Sequence, residues 1–509
     1  MKIFHSQASG LHAGLALGCL ILGCMFWTPT LLASEAKTDT ETEIATEAQE
    51  LGVQEVIALA LIHNPAYQAE LARRDEVAGA VVETSADAWP QVDLVASWNR
   101  TRNPSLLNSR DFEDLISQFP DFEPGEQELW GLAVEVSQPL YSGGKVQAAV
   151  DLARLVVDIT DAQVASARLD LALGAAETFY RALKARRALD RLESQRVARE
   201  GALKVVNDRF ELGEATRLEK LRAEAALAEV APTLAEARGE LRVQESILRS
   251  LLGFGPNDPL LLTETSSPDT EASSETPEGL PKDNKDTKDN IVAWLSLAAE
   301  NRPELVDLDL QLEALDRQKV VTEAEGRPQL DLSGSYGRQV RLLDDLEENL
   351  FADWRVTVGM KWNLFDGGRI KGQVAQLESR RDQLRFQREE QVRRIALDIR
   401  RSLAGSQTAR ERLAAARPAA AAAREAARVA AETYQLGVGL QADLLDAQDL
   451  AIEQELMADD AYYDSLTESA RLLRAVGLSA LDVDDLFHVD LHSLKDLKSD
   501  PLPDTEDLQ

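Results

Sequence analysis

Apolar and polar positions along this chain keep two rhythms, a helical period of about 3.6 and a strand period of about 2, in an order that occurs twice. A helical pattern runs from Leu51 to Ala88 with a break at Asn64-Pro65, and Trp89-Pro90 ends it because a proline disfavours helix in the residue before it. Val92, Leu94, Ala96 and Trp98 then alternate with Asp93, Ser97 and Asn99, with Val95 out of phase. After a polar stretch, Trp130, Leu132, Val134 and Val136 alternate with Gly131, Ala133, Glu135 and Ser137. From Lys145 to Phe210 the pattern is helical throughout. A turn at Leu212-Gly213 leads to a second helix, Arg217 to Leu252, with a kink expected at Pro232. Gly253 to Asn290 is rich in Pro, Ser, Thr, Asp and Lys and reads as a linker.

The succession then returns. Pro65 and Pro303 are 238 residues apart, as are Pro90 and Pro328. Beyond the strands the interval is 224, for Gly143 and Gly367, Gly213 and Gly437, and Gly253 and Gly477. The shortening by 14 residues falls between the two strands of a pair, where the first copy has the longer loop. Register kept elsewhere is what a duplicated fold shows. The second strand pair sets Leu330, Leu332 and Tyr336 against Asp331, Ser333 and Ser335. It then sets Trp354, Val356, Val358, Met360 and Trp362 against Arg355, Thr357, Gly359 and Lys361. The expected segments are a signal at 1–36, an acidic lead at 37–50, a first repeat at 51–253, the linker at 254–290, a second repeat at 291–477 and an acidic tail at 478–509.

Each strand pair hands over to its long helix at Ser142-Gly143-Gly144 or Asp366-Gly367-Gly368. Paired glycines accept positive φ without a Cβ clash. Ser142 and Asp366 are expected N-caps, their side-chain oxygens accepting from the free N–H groups of the new helix.

One apolar and one polar face suit a half-buried sheet or an outer-membrane barrel. Strands of about 9–11 residues with Trp98, Trp130, Trp354 and Trp362 near their ends favour the barrel, where aromatics lie at the bilayer interfaces. Such barrels need about eight strands or more, so several chains must contribute, and three chains of four strands would supply twelve. The long helix agrees. Leu152, Leu155, Ile159, Ala162 and Leu169 keep a heptad seam, and Val146, Val150, Ala153, Val157 and Val164 keep a second beside it. Two seams mean two neighbours, as in a ring of helices. A helix from 145 to 210 reaches ~100 Å, and the shorter helices before and after it would together match it. A soluble helical rod is the competing architecture.

Composition adds limits. Hydrophobic residues make up 44% but aromatics only 5%, which favours long helices packed through small side chains. A net charge of −33 speaks against a nucleic-acid partner. The apolar run from Leu15 to Leu32, followed by Ala33-Ser34-Glu35-Ala36, reads as a cleavable secretory signal; Leu22-Gly23-Cys24 offers the rival reading of an acylated Cys24. Both cysteines, Cys19 and Cys24, lie in that stretch.

With these motifs on the page, the chain resembles the TolC-like outer membrane efflux protein family, the outer membrane factors of tripartite efflux and type I secretion systems. The residues that carry the likeness are Asn64-Pro65, Arg302-Pro303-Glu304-Leu305, the two Pro-led strands and the two Gly-Gly turns. Arg209 to Gly213 and Tyr434 to Gly437 complete it. The resemblance implies an α+β membrane protein: two tandem repeats giving a long helical hairpin barrel, plus four transmembrane strands per chain closed as a 12-stranded barrel in a homotrimer. It implies outer membrane lipid around the barrel, a periplasmic adaptor (membrane fusion) protein at the tip, and an inner-membrane transporter of RND, ABC or MFS type beyond it. The localisation implied is the cell outer membrane with a long periplasmic portion. No cofactor is implied.

The family closes its tunnel with inward coils whose acids ring the opening. Carried over on Tyr434-x-x-Gly437, the ring aspartates fall on Asp443 and Asp446, the partner acid on Glu219 and the gate tyrosine on Tyr434. Where that family pattern has an arginine this chain has Gly439, so closure needs other contacts. A threefold ring of carboxylates in a narrow lumen favours cations. The adaptor-docking tips fall on Gly213-Glu214 and Gly437-Val438-Gly439-Leu440. The arginine-dense run from Arg380 to Arg412 reads as a solvated face with partners such as Glu378 and Asp382. Two functions follow: a passive export conduit, or a structural envelope protein joining outer membrane and periplasm without transport. An enzyme is not indicated. Beyond the expected signal there is no Cys, and His63, His488 and His492 have no metal-ligand spacing or nucleophile motif.

Overall fold

The structure is a computed structural model and describes residues 50–101, 127–263, 287–340, 352–479 and 481. The expected signal, Cys24, nearly all of the acidic lead, the loops at 102–126 and 341–351, residues 264–286 of the linker and the tail from 482 lie outside the described residues.

The elements follow the predicted order: β1 (Glu50–Leu51), α1 (Val53–His63), α2 (Pro65–Ala86), β2 (Gln91–Thr101), β3 (Gln127–Tyr141), α3 (Lys145–Glu211) and α4 (Arg217–Leu251). The second passage has β4 (Leu261–Leu262), α5 (Thr287–Asn301), α6 (Pro303–Ala324), β5 (Gln329–Val340), β6 (Asp353–Lys361), α7 (Arg369–Gln435) and α8 (Gln441–Ala475). Both long helices have 67 residues and both return helices 35. Strands β2, β3, β5 and β6 form one antiparallel sheet in that order.

Three local expectations are corrected. The long helices start from Gly144 and Gly368, both left-handed, so Ser142 and Asp366 are not the N-caps. They act from two residues upstream: Ser142 Oγ accepts from Val146 N at 3.2 Å, and the Asp366 carboxylate accepts from Gly368 N and Ile370 N at 2.8 Å each. Those backbone donors hold the Asp366 carboxyl below its usual range. Second, the segment read as linker includes β4, which pairs in parallel with β1 and places Leu262 beside Leu51; two residues are too few to show a period. Third, Trp362 follows β6, and its indole N–H donates to Gly326 C=O at 3.1 Å. At Pro232, where a kink was expected, α4 is one helix throughout, and α7 likewise contains Pro418.

Long helices buried on one face need partners, and the short elements supply them where the core is densest. Val56, Ile57 and Ala60 of α1 pack on Ala172 to Leu183 of α3, on Leu248 of α4 and on Tyr462 and Tyr463 of α8. Trp294 and Ala298 of α5 pack with Leu305, Ile395, Ile399 and Leu472 in the corresponding second cluster. Each fully buried side chain of this size contributes ~1.5–3 kcal/mol. The two repeats are stapled by equivalent but different residues. Asn64 Nδ2 donates to Leu251 C=O at 3.0 Å, while Arg302 Nε donates to Ala475 C=O at 2.8 Å. In both cases a residue opening a helix ties down the end of a return helix.

Neighbouring helices are set by ion pairs. Helix α2 rides the sheet end of α3 through Arg74 and Asp161, and α4 rides its other end through Arg238 and Glu193. Helix α6 meets α7 through Asp309 and Arg388 and through Asp316 and Arg381. So the arginine run is only partly a solvated face with local partners: Glu378 pairs with Lys319 of α6 instead, whereas Arg393 and Arg394 pair locally with Glu389 and Glu390. Between the repeats, α3 and α8 are joined by Asp170 with Arg474, Glu177 with Arg471, Lys184 with Asp460, Arg191 with Asp459, and Arg199 with Asp449.

Candidate functional site

The sheet has two faces of opposite chemistry. In register across it, Leu94 lies opposite Val134, Val134 opposite Tyr336, and Tyr336 opposite Trp354. That face is uncovered: Leu94, Trp354, Val356 and Met360 are each more than 60% exposed. The row one residue along is Asp93, Glu135, Ser335 and Arg355. A sheet in water hides its apolar face against another layer. Here no described residue covers it, and the edges β2 and β6 are both unpaired among the described strands. Trp98 and Trp130 pack on the apolar side with ring centroids 5.9 Å apart and planes tilted by 39°, and Trp98 Nε1 donates to Glu128 at 2.6 Å.

At the other end the helical hairpins turn at Gly213 and Gly437, with φ of 78° and 77°. Leu212, Leu436, Val438 and Leu440 project from these turns, each about 70% exposed or more. Gly439 sits where a Cβ would be 2.8 Å from Thr433 Oγ1 and 3.0 Å from Tyr434 N, so the turn is tight against any side chain there.

The residues singled out as a gate divide into two groups. Asp443, in the first turn of α8, and Asp446 are exposed. Tyr434 is the opposite, 1% exposed among Val206, Ala223 and Leu444, with its hydroxyl unpartnered among the described residues. Burial, aided by the charge of Glu219, pushes that phenol up. The Glu219 carboxylate is engaged locally. Glu219 closes a capping box with Thr216 at the start of α4, accepting from Thr216 N at 2.5 Å while its own N–H donates to Thr216 Oγ1. Hydrogen bonds from Thr216 hold this carboxyl below its usual value.

Two residues to which sequence reasoning gave no contact join the hairpins. Arg209, in the last turn of α3, donates to Tyr434 C=O at 3.1 Å and lies 5.0 Å above the Tyr434 ring. Gln441, which opens α8, is buried and donates to Glu219 C=O at 2.6 Å. Farther along α3, Arg199 is 3% exposed and pairs with Asp449, while its Nε and Nη1 find no acceptor among the described residues.

An apolar sheet face without cover, a polar face behind it and strands running directly into 67-residue helices define a class: membrane-sheet proteins that carry a helical hairpin assembly. The model of the family described as "Outer membrane efflux protein" matches residues 56–254 and 294–478, so the chain belongs to that family. Outer membrane protein OprJ of Pseudomonas aeruginosa is 24% identical over 393 residues, 77% of each chain. Among solved structures, the Campylobacter jejuni CmeC outer membrane channel matches with a TM-score of 0.69 at 16% identity, covering 86% of this chain and 88% of that one. The outer membrane protein VceC of Vibrio cholerae matches at 0.66 and 20%, covering 84% and 96%. These likenesses show the fold.

Proposed function

We propose that this outer membrane efflux protein forms a passive exit duct. Three copies close their sheets into a 12-stranded barrel in the outer membrane, continued by a periplasmic tunnel of helices. The tunnel receives substrate from an inner-membrane transporter of RND, ABC or MFS type through a periplasmic adaptor, in a tripartite efflux pump or a type I secretion system. The observation that carries this reading is the sheet: an uncovered apolar face suited to lipid, backed by a polar face that includes Asp93, Glu135 and Arg355.

Trp98, Trp130 and Trp354 then lie at the membrane interfaces, with Trp362 just beyond the last strand. Gly143, Gly144, Gly367 and Gly368 form fixed joints between barrel and tunnel, held at φ between 67° and 89°. The apolar tips around Gly213-Glu214 and Gly437 to Leu440 offer the adaptor a surface. Asp443 and Asp446 line the narrowing lumen, and Tyr434 belongs to the gate as a buried anchor held by Arg209.

Reconstitution into planar bilayers tests the duct. The expected result is a trimeric mass with stepwise conductance and a preference for cations that falls when Asp443 and Asp446 are both changed to Asn. A monomer without conductance would sink the reading. Unchanged selectivity in the double variant would remove the two aspartates from the lumen.

A further inference from the structure

Charge is scarce on the apolar face of the sheet. Among the described residues that face carries Arg100 of β2, Glu128 opposite it on β3, and Arg338 of β5, which lies opposite Leu132. All three are in the half of the sheet away from the helices. Arg100 and Glu128 face each other as opposite charges across two strands, and Glu128 also accepts from Trp98 Nε1. Arg338 stands apart. Its register neighbours on the face are Leu132, Trp130, Tyr336 and Trp354, all uncharged.

The tryptophans mark the depth at which Arg338 lies. Trp98 and Trp130 share a row, whereas Trp354 lies opposite Tyr336 and Tyr336 opposite Val134, four residues nearer the helices along β3. Four residues along the strands and three strand spacings across them are each ~14 Å. The aromatic line therefore slants at about 45°, close to the tilt of strands in membrane barrels. The helix-side end slants the same way: β2 starts opposite Ser137, while β6 ends opposite Gln329, one residue beyond the level of Tyr141. Between Trp130 and Trp354 the line crosses β5 in the row of Leu132, which is the row of Arg338.

We propose that Arg338 binds the phosphate of a lipid headgroup in the outer leaflet, one per chain, framed by Trp130 and Trp354. The inference rests on the duct reading above, in which the helices are periplasmic, and adds a specific lipid contact to it. Arg338 is half-buried, so its stem lies along apolar neighbours while the guanidinium reaches the headgroup layer. The planar fork sets two N–H donors against two phosphate oxygens and keeps its charge at any physiological pH. An arginine at the bilayer midplane is costly, and the cost falls away toward the interface, where the aromatic line places this one. Val134, Val356 and Val358, on the rows between Arg338 and the helices, carry the acyl chains of the same molecule, so the occupant is a lipid and not free phosphate.

Native mass spectrometry of the detergent-solubilised full chain tests this, with phosphatidic acid as probe and zwitterionic phosphatidylcholine of the same chain length as reference. Wild-type trimers should hold phosphatidic acid about fivefold or more tightly than phosphatidylcholine. Arg338→Gln should abolish that preference. Arg355→Gln, which removes an equal charge from the polar face, should leave it as in wild type. Arg338→Lys keeps a charge without the fork and should fall between, and it serves where the Gln variant does not assemble. Trimers with no preference in the wild type, with wild-type preference in the Arg338 variants, or with equal loss in Arg355→Gln would overturn the lipid site and leave the duct standing. Displacement of phosphatidic acid by millimolar inorganic phosphate would do the same, as the mark of a free-anion site. A monomeric mass would overturn both.

Discussion

Changing Arg209 to Met isolates the contact that ties the two hairpin tips. The guanidinium makes a 3.1 Å hydrogen bond to Tyr434 C=O and lies 5.0 Å over that ring. Methionine keeps most of the aliphatic stem and its packing but removes donor and charge. A charge-assisted hydrogen bond contributes about 1.5 kcal/mol, and a partly exposed cation–π contact adds about 0.5–1 kcal/mol. In the proposed duct the arrangement with the two tips joined should therefore lose about 2 kcal/mol per chain, a shift of roughly thirtyfold toward parted tips. Single-channel recording reads this directly as a rise of about tenfold or more in the open fraction, with the trimer mass unchanged. Gln441→Ala, which removes the other link, should add to the effect. Wild-type open fraction in Arg209→Met with an intact trimer would show that the tips are held shut elsewhere.

Two further outcomes follow from local geometry. Gly143→Ala should lower the unfolding midpoint more than Gly367→Ala. Both glycines have φ near 68°, costing ~1 kcal/mol or more, but only at Gly143 would the new Cβ press on Arg327 Cβ at 2.8 Å and Ala324 C=O at 3.2 Å. Equal losses would refute the steric argument. Glu304 supplies a pH dependence: burial alone would raise its carboxyl, but the hydrogen bond and charge of Arg474, with Arg302 behind, outweigh burial and hold it below the ordinary value. A depressed folded-state value means stability that is present above the unfolded-state value and lost as pH falls through the folded one. Thermal melts of Glu304→Gln should therefore start lower at neutral pH and fall less than wild type below about pH 4; parallel acid branches would refute the assignment.

The duplicated order of elements was legible because periods accumulate: 67 helical residues or nine alternating ones leave little room for another reading. The Gly-Gly joints were legible because positive φ selects glycine. What escaped notice was short or non-periodic. Strand β4 has two residues and gains its place only by pairing with β1, far away in sequence. Ser142 and Asp366 were known as helix-starting types, but their reach across two glycines depends on backbone angles that a sequence does not display. The contact between Arg209 and Tyr434 spans 225 positions, and no spacing marks an arginine as the one that will lie over a given ring. Glu219 was placed by family pattern, whereas Thr216 three residues before it carried the local signal of a capping box.

The uncovered apolar face also governs how the protein is made. Each helical hairpin is a local structure, closed by a short turn, and can form within one chain quickly. The sheet cannot become stable that way, since lipid and neighbouring strands are what its outward side chains and open edges require. In the proposed duct the last step of folding is of higher order in protein, its rate set by how often finished chains meet at a membrane. A chain delayed there carries exposed strand edges beside a greasy surface, the combination most prone to aggregate. Yield should depend on concentration and on the supply of bilayer far more than on any property of the helices.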